Sequence, residues 1–212
     1  SVDRWWGYEG SSGAFTMQQS STAPTGFTKS VALTVTTTQS SLGATDQYIF
    51  NQSIEGYSIA DLAWGTSNAQ PVTLSFWVRS SVIGTYAVSL VSSQPSTCIG
   101  SYTINNANTW EYKTITFAGP TTGTWNTSND IGVMIRFVLG AGANFVGTVG
   151  NWNIAQYLLA PSNATNLMAT SGATLYITGV QLEKGNIATS FDVRPYGTEL
   201  QLCQRYYYKN LT

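Results

Sequence analysis

The side chains best suited to recognition chemistry in this sequence are aromatic, with seven Trp and twelve Tyr in 212 residues. Aromatic ring faces stack under the C–H groups of sugars, while amide side chains hold the hydroxyl groups. Three aromatic residues stand in polar, asparagine-rich segments that look like loops. On this basis the predicted ligand contacts are Trp125, Trp152, Tyr157, Asn126, Asn151 and Asn153. For any single tryptophan, core packing is the commoner role.

Several kinds of catalysis are excluded by residue type. Histidine is absent, which rules out Ser-His-Asp and Cys-His nucleophiles and His-ligated zinc or iron. Glycoside hydrolysis needs two carboxylates roughly 5–9.5 Å apart, and sequence spacing pairs none of those present, so solvated or salt-bridged surface groups are the simpler interpretation. The carboxylates available for such a pair include Glu55, Asp61, Glu111, Asp130, Glu183 and Asp192.

Cofactor and metal sites find no support either. The stretch from Asn126 to Asp130 offers oxygen atoms to calcium, but it lacks the ordered acidic spacing of a calcium loop. No glycine-rich phosphate loop stands between a strand and a helix. We therefore predict no catalytic residue, no metal and no cofactor.

Charge limits the choice of partners. Charged residues make up 9% of the chain, against about 25% in average soluble proteins, and the net charge is -1. No basic stripe is present, so nucleic acid and anionic membranes are poor candidates. No apolar run approaches the ~18 residues of a membrane span.

The two cysteines, Cys98 and Cys203, are too few for a disulfide framework. Free or buried thiols are the simpler interpretation. A single bridge that ties the C-terminal tail to the body of the domain is the alternative.

The elements that must position these side chains are strands, and the clearest is Pro71 to Ser80. Its apolar residues alternate, so Val72, Leu74, Phe76 and Val78 share one face. Burying four such side chains contributes about 6–12 kcal/mol gross, which fixes the register of a central strand. Trp77 then falls on an outer sheet face, or beneath a loop or a neighbouring subunit.

Further alternating runs predict about eight to ten strands and no long helix. The other predicted strands lie at or near residues 5–8, 14–18, 29–37, 48–54, 85–91, 110–117, 131–139 and 173–183. A bulge at Gly179 would put Leu175, Ile177, Val180 and Leu182 on one face. Ser58 to Trp64 reads as a short helical connector, and residues 140–171 as a long polar stretch of the kind that carries function.

This pattern predicts an all-β, antiparallel two-sheet β-sandwich, and the missing crossover helices rule out a parallel α/β fold. The length suits one domain. We place that domain at residues 1–196, followed at 197–212 by an exit segment that leads to a further domain or a partner contact. A short helical turn is predicted from Thr198 to Arg205, and we expect the chain to belong to a longer polypeptide.

Three segments resemble a domain recurrent in virion proteins of tailed bacteriophages, chiefly tail fibres and other host-contact proteins. They are Ile54–Ser81, Ala107–Trp125 and Ala173–Tyr208. The last is the most specific, because it carries the elements G-V-Q-L-E-x-G, A-T-x-F and C-Q-R-Y-Y. The opening Asp3-Arg4-Trp5 fits as well.

The resemblance implies a jelly roll similar to carbohydrate-binding modules, with no catalytic residues in its motifs. It implies a non-catalytic module of a virion appendage that attaches to host-surface glycans, in a homo-oligomer for which a trimer is expected and in contact with other virion proteins. Two alternatives stay open: a purely architectural virion component without a ligand, and a carbohydrate-binding module of a cellular hydrolase. A polysaccharide-cleaving enzyme ranks last.

Overall fold

Two antiparallel sheets packed face to face confirm the predicted β-sandwich of the jelly-roll type. The structure is a computed structural model that describes residues 5–94, 96–154 and 157–204. The six-stranded sheet has the order β1-β4-β9-β6-β7-β10, and the five-stranded sheet β2-β3-β11-β5-β8. The strands are β1 Trp5–Glu9, β2 Ala14–Ser20, β3 Ser30–Thr37, β4 Gln47–Glu55, β5 Val72–Ser80, β6 Gly84–Ser92, β7 Ser96–Ile104, β8 Glu111–Phe117, β9 Ile131–Ala141, β10 Trp152–Ile154 and β11 Thr174–Lys184.

The main core lies between the sheets and confirms the register predicted for β5. Val72, Leu74, Phe76 and Val78 are at most 1% exposed. The ring of Phe76 meets Phe137 of the opposite sheet edge-on, with a centroid distance of 5.0 Å. A slip of one residue would remove all four side chains from the core.

The bulge predicted at Gly179 is also present. Gly179 has a φ of +60°, and the register of β11 against β5 shifts between Thr178 and Gln181. As a result, Leu175 and Ile177 before the bulge and Val180 and Leu182 after it all pack on the main core. A Cβ at Gly179 would approach the Phe27 ring to 2.6 Å. Glycine is therefore required here by both conformation and space.

A second apolar layer covers the outer face of the six-stranded sheet. Ile49, Ala87 and Val138 point away from the main core and pack under the chain that follows β9, where Leu159 and Ala160 are fully buried. The region predicted as a long polar stretch therefore carries structure of its own. It contains two 3-10 turns, Ala143–Phe145 and Leu167–Ala169, as well as β10.

Three details differ from the predictions. The described residues form eleven strands rather than eight to ten, because the pattern revealed neither β10 nor β7, in which Gly100 and several polar residues interrupt the alternation. The connector at Ser58–Trp64 consists of two 3-10 turns, Gly56–Ser58 and Ala60–Leu62, without a side-chain cap. The helix after the sandwich, α1, spans Tyr196–Gln204 and so begins two residues before the predicted turn. The opening Asp3-Arg4 and residues 205–212 lie outside the described residues.

Cys98 is a free thiol in the main core, which agrees with the simpler interpretation for this cysteine. Burial raises the pKa of the Cys98 thiol to about 12. The side chain of Cys203 lies outside the described part of the structure. Within the described residues, no helix has the length and apolar character needed to cross a membrane.

Candidate functional site

Two of the predicted ligand contacts, Trp125 and Trp152, come together with Trp64 at one end of the sandwich. The three indoles, which we call the interior triad, meet edge to face, with ring centroids 4.7 Å (Trp64–Trp125), 5.6 Å (Trp64–Trp152) and 5.0 Å (Trp125–Trp152) apart. Each indole N–H donates to a backbone carbonyl: that of Gln70 at 2.8 Å, Thr122 at 3.3 Å and Ala118 at 2.6 Å, respectively.

Within the interior triad, Trp125 has a packing role. This residue is 9% exposed and its ring lies against two other indoles, so a sugar could stack on it only after the cluster opened. Trp152 is half-buried, and ligand contact by this residue stays a prediction.

The predicted asparagines serve local turns. The Oδ1 atom of Asn126 accepts hydrogen bonds from the N–H (2.8 Å) and the O–H (2.7 Å) of Ser128. Nδ2 of Asn153 donates to the Asn151 carbonyl at 3.2 Å. Ligand contact by these asparagines also stays a prediction.

Tyr157 is not part of this group. It is 42% exposed and close enough to Arg136 to interact with it electrostatically. Arg136 alternates with Ile135 and Phe137 of the main core, so it projects from the outer face of the six-stranded sheet. Tyr157 therefore lies near the outer face of the six-stranded sheet, whereas Trp125 and Trp152 pack against the main core.

An aromatic surface that the sequence did not assign lies on the outer face of the five-stranded sheet. Trp77 and Tyr112 are direct cross-strand neighbours with ring centroids 5.3 Å apart. Trp110 meets Tyr176 edge to face at 6.2 Å, and the guanidinium of Arg79 lies over the Tyr176 ring at 5.1 Å. We call these five side chains the aromatic platform.

Strand register explains why these residues meet. Tyr176 of β11 stands opposite Arg79 of β5, and Trp77 of β5 stands opposite Tyr112 of β8. Side chains two apart on a strand share a face, so Arg79 and Trp77 lie in adjacent rows. The position predicted for Trp77, on an outer face, is confirmed; Trp110, Tyr112 and Tyr176 were missed as site residues.

Hydrogen bonds from the turn before β8 hold the platform in place. Nε of Arg79 donates to the Asn108 carbonyl at 2.8 Å. The Glu111 carboxylate accepts from the N–H groups of Asn105 and Asn106, both at 2.9 Å, and forms an ion pair with Lys113 at 2.6 Å. Burial opposes the ionisation of Glu111, but these bonds outweigh it and lower the pKa of the carboxyl to about 2. The loop that carries Trp110 is thus tied to the sheet by a charged group.

A cleft of about 460 Å³ adjoins the platform. Its lining includes Trp77, Tyr112, Phe27 and the segment from Ala188 to Phe191. Phe191 packs edge-on against Phe27, with a centroid distance of 5.2 Å. The cleft therefore has an aromatic floor and a wall with the hydroxyl groups of Thr189 and Ser190.

Two outward side chains of β11 fix that wall. Glu183 accepts hydrogen bonds from the N–H and the O–H of Thr189. Oε1 of Gln181 accepts a hydrogen bond from the N–H of Asp192 at 2.8 Å. Burial raises the pKa of Glu183, but the bonds from Thr189 and Gln181 outweigh this and lower it overall. The hydrogen bonds therefore join the G-V-Q-L-E-x-G element directly to the segment that contains the A-T-x-F element.

Among the described residues, no group of three or more Cys, Asp or Glu side chains is arranged to hold a metal ion. The site consists of ring faces, hydroxyl groups and one guanidinium. Such groups bind by stacking and hydrogen bonding.

No protein-family model matches the chain, and a search of curated proteins gave no match. Solved structures with similar folds include the enzymatically active domain of tailspike protein 4 from bacteriophage CBA120, with 13% identity and a TM-score of 0.49 over 87% of this chain and 20% of that chain. A CBM4 structure has 15% identity and a TM-score of 0.48 over 86% and 87% of the two chains.

A family 11 carbohydrate-binding module from Clostridium thermocellum, solved with a β-1,3-1,4-mixed-linked tetrasaccharide, has 12% identity and a TM-score of 0.48 over 89% and 93% of the two chains. This chain spans one fifth of the tailspike chain and most of each module.

Proposed function

We propose that this chain is a non-catalytic carbohydrate-binding module whose ligand stacks on the aromatic platform. The observation that carries the proposal is the grouping of Trp77, Trp110, Tyr112 and Tyr176 on one outer sheet face. Tyr112 is 44% exposed. Contiguous exposed apolar surface on a soluble domain marks an interaction site. Aromatic side chains that retain polar neighbours suit sugars, which have an apolar C–H face and a rim of hydroxyl groups.

Size and charge support the same ligand class. The platform side chains form two rows across β11, β5 and β8. This area extends about 7 Å along the strands and about 10 Å across them, which suits a short stretch of an oligosaccharide. The adjoining cleft of about 460 Å³ lies within the usual range of roughly 300–1,000 Å³ for ligand sites. Arg79 is the single charged group of the platform and is already bound to Asn108, so a neutral glycan fits best here.

The biological setting is also part of the proposal. The motif resemblance supports a role in a bacteriophage virion, in a tail-fibre-like appendage that contacts host glycans. Weak single sites would gain about 10²–10⁴ in avidity when several copies are tethered in one assembly, with a homotrimer favoured. A catalytic domain next to this chain in the full-length polypeptide would instead identify a module of a cellular hydrolase.

A glycan array followed by calorimetric titration of the strongest ligand tests the proposal. We expect Trp77→Ala and Tyr112→Ala each to weaken binding at least tenfold, because each removes a stacking face. Tyr57→Ala is the matched control, since Tyr57 is 59% exposed and lies in the 3-10 turn after β4. If the folded wild-type chain binds no glycan on the array or on host cells, the module is architectural and the proposal fails.

A further inference from the structure

A row of polar and aromatic side chains crosses the outer face of the six-stranded sheet, on the opposite side of the molecule from the platform. Asn51 of β4 stands between Trp6 of β1 and Arg136 of β9, and Arg136 in turn stands opposite Ser89 of β6. Residues directly opposite each other have Cβ atoms about 5 Å apart. The four side chains therefore form one continuous line.

Asn51 is the least expected member of this row. Its side chain is 0% exposed, yet neither Nδ2 nor Oδ1 has a hydrogen-bond partner among the described residues. A buried polar group without a partner is destabilising, because it has given up its hydrogen bonds to water. Such groups are uncommon in folded proteins and call for a specific explanation.

Arg136 is a second polar side chain of the row with a buried, unsatisfied atom, and it carries a positive charge. Within the described part of the chain its Nε is buried without a partner, and Nη2 donates to the thioether of Met134, a weak acceptor, at 3.5 Å. No carboxylate of the described residues forms an ion pair with it. Burial lowers the pKa of Arg136 while nearby Tyr157 opposes this, and the guanidinium stays charged in proteins. A half-buried cation without a counter-ion is a costly arrangement.

The row lies at the border of the second apolar layer. Ser89 at one end is fully buried and donates to the Leu159 carbonyl at 2.6 Å. At the other end Trp6 is 38% exposed, and Tyr8, two residues along the same strand, is 42% exposed. Tyr157 is close to Arg136 from the covering chain. The exposed end of the row is therefore the β1 end, where two aromatic rings face solvent next to the buried Asn51 and the half-buried Arg136.

We infer that this row is a second binding site, specific for a carboxylate-bearing sugar. The carboxylate pairs with the guanidinium of Arg136, whose planar fork matches carboxylate geometry. Asn51, the neighbour of Arg136 in the row, supplies a second donor through its amide Nδ2. The indole of Trp6 supplies the stacking face for the sugar ring. This site shares no residue with the aromatic platform and stands whether or not the platform binds glycans.

The test is calorimetric titration of the intact chain with trigalacturonate and sialyllactose, compared with lactose as the neutral ligand. We expect the acidic ligands to bind at least tenfold more tightly than lactose, and this preference to weaken as salt is raised. Arg136→Gln should abolish the preference and leave any binding of neutral glycans to the platform unchanged. Arg194→Gln is the matched control, because it removes the same charge from a side chain that is 50% exposed.

Trp6→Ala is a second variant that alters an exposed side chain, and we expect it to weaken the acidic ligands about tenfold without affecting the fold. Sodium acetate separates the sugar from the bare anion: acetate should bind far more weakly than the sugar acids. Equal affinity for acidic and neutral ligands would overturn the inference. So would acidic binding that survives both Arg136→Gln and Trp6→Ala, or acetate binding as tight as that of the sugar acids.

Discussion

The molecule contains two groups of tryptophans that have opposite surroundings. In the interior triad, Trp64 is 7% exposed and Trp125 9% exposed, and their N–H groups are bound to backbone carbonyls. In the aromatic platform, Trp77 and Trp110 are half-buried on an outer sheet face. Two triad residues, Trp125 and Trp152, were predicted ligand contacts because they stand in asparagine-rich segments. The platform residues belong to regular strand or its immediate start.

The difference shows that local polarity is a poor guide to the role of a tryptophan in a β-sandwich. Trp64 and Trp152 are far apart in the chain, and only the closure of the sandwich end brings them together. Trp77 stays on an outer face because its neighbours Phe76 and Val78 are both needed in the core. Strand parity is therefore the more informative signal.

The largest expected effect comes from opening the interior triad. Trp64→Ala should lower the free energy of unfolding by about 3–5 kcal/mol, because it leaves a cavity among packed rings. Guanidinium chloride denaturation followed by circular dichroism measures this. A loss below about 1 kcal/mol would mean that the triad is not a packing unit and would remove the contrast with the platform.

Gly179→Ala should have the next largest effect, about 1–3 kcal/mol in stability. Alanine is strained at a φ of +60°, and its Cβ would collide with the Phe27 ring. Because the bulge turns Gln181 and Glu183 outward, the substitution should also loosen the segment 188–191, seen as faster amide exchange. Gly172→Ala is the control: it has a positive φ but open space around it, so it separates backbone strain from the collision.

Trp110→Ala should reduce stability less than Trp64→Ala, because Trp110 is only half-buried and its pair with Tyr176 contributes about 0.5–1.5 kcal/mol beyond burial. Glycan binding by the same variant should fall at least tenfold. Paired measurement of unfolding and of ligand titration checks both numbers. A stability loss as large as that of Trp64→Ala would show that the platform is a structural cluster.

A change in pH should have a stability effect of similar size. Because the pKa of Glu111 is lowered to about 2 from 4.5, its contribution is fully present above about pH 4.5 and is lost as the pH falls toward 2. We expect a loss of about 1–2 kcal/mol across this range. Glu111→Gln should flatten this part of the profile of unfolding free energy against pH. An unchanged profile would mean that the carboxylate does not hold the loop before β8.

Much of the fold follows from local pattern. The alternation in β5 predicts which side chains are buried, and the phase change at Gly179 predicts a bulge, because both depend only on the two-residue period of a strand. β7 escaped prediction because it is buried on both sides in places and contains Gly100 opposite Val88, so its polar and apolar residues do not alternate.

The candidate sites were harder to predict because their members come from distant strands. Trp77, Tyr112 and Tyr176 become neighbours through the pairing of β5 with both β8 and β11, and no local pattern encodes which strands pair. Likewise, the isolation of Arg136 from any described carboxylate is a property of the assembled sheet.

The second apolar layer has a mechanical consequence. Amides of β6 lie in the middle of a sheet that is dry on both sides, with Ala87 and Val91 under the covering chain. They should exchange with solvent only when the whole domain unfolds. No second apolar cluster of the described residues covers the platform face of the five-stranded sheet. The two sheets should therefore differ in amide exchange, with slower exchange in the covered six-stranded sheet than at the uncovered platform face.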